Sequence, residues 1–303
     1  MTLSMYSEAQ IRDQFGDETL NYLKNKNRGG SNSEKGNSYE NFFAVYQLAR
    51  LAVQVIERNE SISLSSQVLA FVDDLIIDHD DPEIPLKHYQ LKNSASVSWG
   101  HDLRSIADDF RKQQQINQTI NRSSDLCLVV SNPQLKSSLE RSQPDDLKSY
   151  SQVAFFPYAR KLIQVLEQDA GFLDAIKYLS AFDNPAPDKI ECAATVLLGA
   201  WTACDKSNAS VLEILQTAQG TSPSFIRVLG QEWEIDPDVK QILDNVANFS
   251  YNTAKGFLHW QFGSGLEEGT LPYGCNTPQF KKFESVIKRK KPTSYEDLEV
   301  FLI

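Results

Sequence analysis

The segment Ser66–Asp78, SQVLAFVDDLIID, constrains this chain more than any other. Both of its alternating residue sets are apolar: Val68, Ala70, Val72 and Ile76 on one, Leu69, Phe71, Leu75 and Ile77 on the other. A strand of that pattern is covered on both faces, so it predicts the interior of a sheet flanked by helices. Two carboxylates, Asp73 and Asp74, stand inside the run, and burying them without a partner is costly. An interior strand with chemistry attached is the expectation.

The neighbouring segments supply the rest of an α/β domain. Placed on a helix, Ser38–Glu57 puts Phe42, Val45, Tyr46, Ala49, Val53 and Ile56 on one stripe, with a polar arc of only Gln47, Arg50, Gln54 and Glu57. Such a helix is buried on most sides. A Gly/Ser/Asn-rich loop, residues 24–37, precedes it. After the strand, the acidic loop DHDDPEIP leads to a shorter strand, LKHYQLKNS. HDLRSIADDFRKQQ reads as an amphipathic helix with Leu103, Ile106, Ala107 and Phe110 at helical spacing. LCLVVSN is a second fully apolar strand and PQLKSSLERS a short helix. Helices and strands alternating in this way make an α/β domain over residues 1–147.

The pattern changes after the SQPDD turn, and residues 148–303 read as a mainly α-helical domain. Ser222-Pro223, Asp236-Pro237 and Thr277-Pro278 each place a capping residue before a Pro at the first helical position. Thr293 and Glu296 have capping-box spacing. Residues 262–278 look irregular, and their GSG lacks the Gly-Lys-Ser/Thr of a phosphate loop. A length of 303 residues fits two such domains at roughly 150 residues each.

Several classes are excluded. No stretch approaches the ~18 apolar residues of a membrane span, and the polar, mixed-charge N-terminus argues against a secretory signal. The four cysteines (127, 192, 204 and 275) form no CxxC pair, and the four histidines show no metal-ligand spacing. Reduced cysteines in a cytoplasmic protein are expected. A net charge of −10 argues against tight, unaided binding to DNA. Six of the acids, however, lie within residues 73–83, where they could hold a cation.

Gln90, Leu91 and Lys92 lie on the strand after the two aspartates. Strand alternation puts Gln90 and Lys92 on one face, with His88. An Asp beside an amide or carboxylate oxygen and a Lys two residues apart suits a hard divalent ion and an activated water. Glu40 lies near the start of the long helix, where it could serve the same site or merely close a capping box with Asn37. Alternation turns Asp73 and Asp74 to opposite faces; Asp74 is the preferred ligand, and Asp73 stays open as the alternative.

In GNSYE (36–40), VDDLII (72–77) and YQLK (89–92), the chain resembles the PD-(D/E)xK nuclease superfamily, in its Mrr-like branch with a QxK ending. The similarity continues through SVSWGHDLRSIADDF and LCLVVSN, and that longer run resembles the effector nuclease of bacterial anti-phage systems of Lamassu or CBASS type. The resemblance covers roughly the first half of the chain. It implies an α/β restriction-endonuclease-like nuclease domain that hydrolyses DNA phosphodiesters with Mg2+, Mn2+ substituting, and leaves 5′-phosphate ends. Asp74 would be the central metal ligand and Lys92 the catalytic lysine. Gln90 would offer its amide oxygen where Glu is usual, and Glu40 would be an auxiliary ligand. Gln90 costs the site one negative charge.

The partners implied are double-stranded DNA, an SMC-like ATPase with an accessory subunit of a defence complex, and further copies of the chain in the active form. The helical half looks unlike a cyclic-oligonucleotide sensor, which favours the Lamassu type. The alternatives are a stand-alone Mrr-like restriction endonuclease and a catalytically inactive nucleic-acid-binding or scaffold subunit. Lys26 and Arg28 in the early loop, and Lys288, Arg289, Lys290 and Lys291 in the basic run KKFESVIKRKK, are candidate phosphate contacts. The four tryptophans (99, 201, 233 and 260) read as core or interface anchors.

Overall fold

The computed structural model describes residues 6–29, 34–229 and 234–302. They form two compact units: residues up to Phe172 with Ala200–Ile214, and Leu173–Gly199 with Leu215 onward. The first unit runs well past residue 147, where the sequence expectation divided the chain. Strands paired into its sheet from beyond that point are the reason.

The chain begins with α1 (Glu8–Gly29) and α2 (Glu34–Glu57), then β1 (Ser63–Ser65), β2 (Leu75–Asp78) and β3 (Leu86–Lys92). Next come α3 (Ile106–Thr119), β4 (Ser124–Val130), α4 (Pro133–Arg141), β5 (Ser151–Phe155) and α5 (Leu162–Gln168). Then follow α6 (Ala170–Leu179), α7 (Pro187–Ala203), β6 (Ala209–Ser210) and α8 (Val211–Thr221). The remainder is α9 (Pro237–Asp244), β7 (Phe249–Ala254), β8 (Phe257–Phe262), β9 (Glu267–Thr270), α10 (Pro278–Lys290) and α11 (Tyr295–Glu299).

The first unit is built on a mixed sheet in the order β5-β4-β3-β2-β1-β6. β1, β2 and β3 pair antiparallel, whereas β4 and β5 continue parallel to β3. The expected α/β class is therefore observed. The last five residues of β4 are buried, as its apolar run requires. On α2, Tyr39, Phe42, Phe43, Val45, Leu48, Ala49, Ala52 and Val55 are all buried, so this helix is enclosed on most sides. It starts three residues before Asn37, which therefore lies inside the helix rather than at its cap.

Three local expectations are corrected. The strand expected from Ser66 begins only at Leu75. Gln67 adopts a positive φ, its N–H donates to Asp73 O, and residues 67–73 fold into an irregular loop, half-buried over 67–69 and buried over 70–73. The loop expected over 24–37 is mostly helix: α1 continues through Gly29 and α2 starts at Glu34, with 30–33 outside the described residues. The helix expected from His101 starts at Ile106, because Ser105 caps it by accepting from Asp108 N–H. Leu103 is consequently 81% exposed rather than on the buried stripe.

The second unit holds helices and a three-stranded antiparallel sheet, β7-β8-β9. That sheet corrects the irregular reading of residues 262–278, into which β9 falls. Lys255 and Gly256 form a two-residue turn with φ of 54° and 80°, the geometry that joins twisted strands. Asp236 and Thr277 cap α9 and α10 as expected. Ser222-Pro223 opens only a turn, and Ser294 rather than Thr293 caps α11. Trp99 and Trp260 are core residues and Trp201 is buried, whereas Trp233 lies outside the described residues. Among the described residues no helix is long and apolar enough to cross a membrane.

Candidate active site

Three elements of the first unit bring the expected residues together. Asp74 sits one residue before β2, Gln90 and Lys92 lie on β3, and Glu40 projects from α2. Asp74 Oδ2 accepts the backbone N–H of Leu91 at 2.6 Å and a side-chain N–H of Gln90. Among the described residues nothing donates to Asp74 Oδ1. Glu40 accepts from Gln67 Nε2 at 3.3 Å. Its carboxyl is pushed up to about 7, first by burial and then by the charge of Asp74, with Gln67 and Lys92 opposing. Glu40 thus feels the charges of both Asp74 and Lys92.

Asp73 points elsewhere. It is 5% exposed, and its carboxyl is pushed up to about 7 by burial, against the pull of Lys26 and with the push of Asp74 and Asp109. Lys26 reaches in from α1, placing Nζ 3.5 Å from Asp73 Oδ1 and 3.1 Å from Asp109 Oδ2. It also donates to Gln90 Oε1 at 3.3 Å and to the Phe71 carbonyl. Burial works against its charge, but Asp73 and Asp109 outweigh it and raise the ammonium's pKa. Asp109 further accepts from Tyr22 OH at 3.1 Å, and burial raises its carboxyl against Lys26 and Tyr22.

The loop carrying the two aspartates is fixed by a buried amide network. Gln113 Oε1 accepts from Phe71 N–H at 2.9 Å and Val72 N–H at 3.1 Å. Its Nε2 donates to Tyr6 OH and to Asn117 Oδ1, which also accepts from Tyr6 OH. Asn117 Nδ2 donates to Ser124 Oγ and lies 3.2 Å from His88 Nε2. His88 Nδ1 is 2.9 Å from the Val72 carbonyl, so this nitrogen carries the proton and Nε2 accepts. Burial pushes His88 down to about 4, which keeps it neutral and structural rather than a base.

The chemistry of the donor set fits a divalent ion in part. Among the described residues no three Asp, Glu, His or Cys side chains converge as a ready-made cage. Mg2+ needs only one or two carboxylates with water completing its shell. Asp74, with an oxygen to spare, and Glu40, whose carboxyl is held up by burial and by the charge of Asp74, could supply them. Gln90 faces Lys26 with its amide oxygen and Asp74 with its amide nitrogen, so in this arrangement it positions Asp74.

Lys26 is a candidate phosphate contact no longer, because its ammonium is committed to buried oxygens. The side chain of Arg28 lies outside the described residues. Lys288 forms ion pairs with Asp236 at 2.5 Å and Asp238 at 3.5 Å, while Arg289, Lys290 and Lys291 are exposed where α10 ends. Cationic side chains there also complement the helix dipole. Burial lifts the Cys127 and Cys275 thiols to about 12, so neither is a nucleophile at neutral pH. Asp109 and Gln113 are parts of the site that the sequence did not single out, and Lys26 has a buried role in it in place of the phosphate contact expected. Ile106, Asp109 and Gln113 share one helical face, which was the available signal.

No protein-family model matches the chain, and comparisons with curated proteins and with solved structures found no significant match.

Proposed function

We propose that the first unit is a metal-dependent endodeoxyribonuclease. The observation that carries the reading is the convergence of Glu40 from α2, Asp74 from the head of β2, and Gln90 and Lys92 from β3. This is the order of elements that the PD-(D/E)xK resemblance implies. Asp74 and Glu40 would hold Mg2+, or Mn2+ in its place. A bound ion would supply positive charge at a phosphoryl oxygen. Asp74 is oriented for that task by Leu91 N–H and Gln90. Lys92, on the same strand face as Gln90, would orient an attacking water and offset charge growing on the phosphate.

The resemblance extends the proposal to the effector subunit of a cytoplasmic, Lamassu-like anti-phage complex. In it an SMC-like ATPase and an accessory subunit would control access to double-stranded DNA, with homo-oligomers as the active form. The exposed Arg289, Lys290 and Lys291 could then add phosphate contacts. A stand-alone Mrr-like endonuclease would keep the same site. A second reading, a non-catalytic binding or scaffold subunit, is favoured by one observation: both polar atoms of Gln90 are already engaged within the protein.

Plasmid cleavage tests the proposal, with Mg2+ or Mn2+, the full chain alone and with co-purified partners, beside Asp74→Ala and Lys92→Ala. Nicking that both substitutions abolish is expected. Cleavage that survives both would remove this site from consideration, and its absence with partners present would favour the scaffold reading.

A further inference from the structure

The Lys26 ammonium is enclosed by oxygen. Asp109 Oδ2 lies at 3.1 Å, Gln90 Oε1 at 3.3 Å and Asp73 Oδ1 at 3.5 Å, and the Phe71 carbonyl completes the set. An ammonium has three protons, so it cannot satisfy four acceptors. The shortfall is visible, because Asp73 Oδ1 is buried and accepts no hydrogen bond among the described residues. Buried polar atoms are seldom left in that state. The surroundings are also mismatched in charge: two carboxylates face one ammonium. Two carboxylates, an amide oxygen and a backbone carbonyl are the donor chemistry of a hard divalent ion.

A structural ion pair is the plain alternative. It accounts for Lys26 facing one aspartate, but not for the second carboxylate or for the unsatisfied oxygen in so closed a space. Nor does it account for the convergence of a carbonyl and an amide oxygen on the same point. The geometry points to a second divalent-cation site, formed by Asp73, Asp109, Gln90 Oε1 and Phe71 O, whose place the Lys26 ammonium takes as a built-in counter-ion. The chain then holds one exchangeable ion, at Asp74 and Glu40, instead of two. Only that first ion rests on the proposed function; the cage rests on its own oxygens. In this arrangement α1 belongs to the site, and Lys26 decides which of the adjacent aspartates is open to metal.

Counting bound Mn2+ by electron paramagnetic resonance tests this on the full-length chain. One equivalent is expected for wild type and for Lys26→Arg, which keeps the cation. Two are expected for Lys26→Met, and the added equivalent should vanish in Lys26→Met/Asp109→Asn. Two ions on wild type, or no gain in Lys26→Met, would overturn the proposal. Should Lys26→Met be too unstable for counting, its melting with and without Mn2+ decides. A cage that takes the ion gives a larger Mn2+-dependent rise in Tm than wild type; an equal or smaller rise overturns it. Asp74→Ala separates the two readings. If the wild-type equivalent survives that substitution, the proposed active site fails while the cage is still judged by Lys26→Met alone.

Discussion

The backbone N–H of Leu91 donates to Asp74 Oδ2 at 2.6 Å, so the strand that carries Gln90 and Lys92 also holds the carboxylate beside them. Leu91 itself turns into the core, where it is buried. The Gln-Leu-Lys sequence therefore does three things at once: it anchors the strand, clamps Asp74 through the backbone, and lines the site with its two polar side chains.

Replacing Gln90 with Glu disturbs that clamp in a predictable way. Asp74 Oδ2 would lose the amide donor and face a carboxylate, a loss worth about 2 kcal/mol for a hydrogen bond to a charged group. Gln90→Glu should melt below wild type without metal and recover more of that loss than wild type gains when Mg2+ is added. Thermal unfolding in EDTA and in Mg2+ reads both effects. Identical Mg2+ responses from the two proteins would show that no ion binds beside Asp74.

The two raised carboxyls give a pH dependence whose sign follows from linkage. Asp73 and Glu40 are held up to about 7 in the fold, above the ordinary carboxylate range. Between about pH 4 and 7 the folded chain then binds more protons at these groups than the unfolded chain. Their contribution is fully present at the acid end and is lost as pH rises through about 7. His88 acts the other way: held down to about 4, it favours the fold as pH rises towards its ordinary value. The difference between variants isolates one group. Asp73→Asn should gain on wild type as pH rises from about 4 to 7 and hold that gain above it. Urea midpoints across the range test this, and a constant difference would assign the pH dependence elsewhere.

The legible part of this chain was its periodicity. The apolar runs of α2 and β4 and the QLK of β3 stood out because each has one pattern that only burial explains. Asp74 and Gln90, which the order of the segments brings close, are in contact. What stayed hidden was non-local or irregular. Residues 68–72 are as apolar as a strand, yet their backbone bonds are met by the Gln113 side chain and a local turn, which no alternation reveals. Lys26 sits in a polar stretch rich in Gly and Asn, and only the packing of α1 shows that it faces inward. The β7–β8 hairpin has its two-residue Lys-Gly turn as a signal, a weaker one than the helical capping residues around it.

Gln113 should be the most sensitive polar position in the first unit. Its amide oxygen alone receives Phe71 N–H and Val72 N–H, and both donors would be orphaned in Gln113→Leu. Each buried donor left unpaired costs about 1–3 kcal/mol. A combined loss of about 2–6 kcal/mol is expected in chemical denaturation. Because the same loop carries Asp73 and Asp74, divalent-ion affinity should weaken as well. A variant of wild-type stability would mean that the loop finds its backbone partners without Gln113.

Gly256 is fixed twice over, by its backbone and by its neighbour. Its φ of 80° is unfavourable for any residue with a Cβ, and a Cβ there would stand 2.2 Å from Val228 Cβ. The approach is close because Val228 N–H donates to Lys255 O, and Cys275 N–H donates to Gly256 O, on either side of the turn. Gly256→Ala therefore meets both strain and overpacking, each costing about 1–3 kcal/mol. Val228→Ala removes most of the clash but none of the strain. The double variant should recover part of the loss of Gly256→Ala, which a double-mutant cycle on unfolding free energy would measure. Strict additivity of the two substitutions would show that the turn and Val228 do not touch in solution.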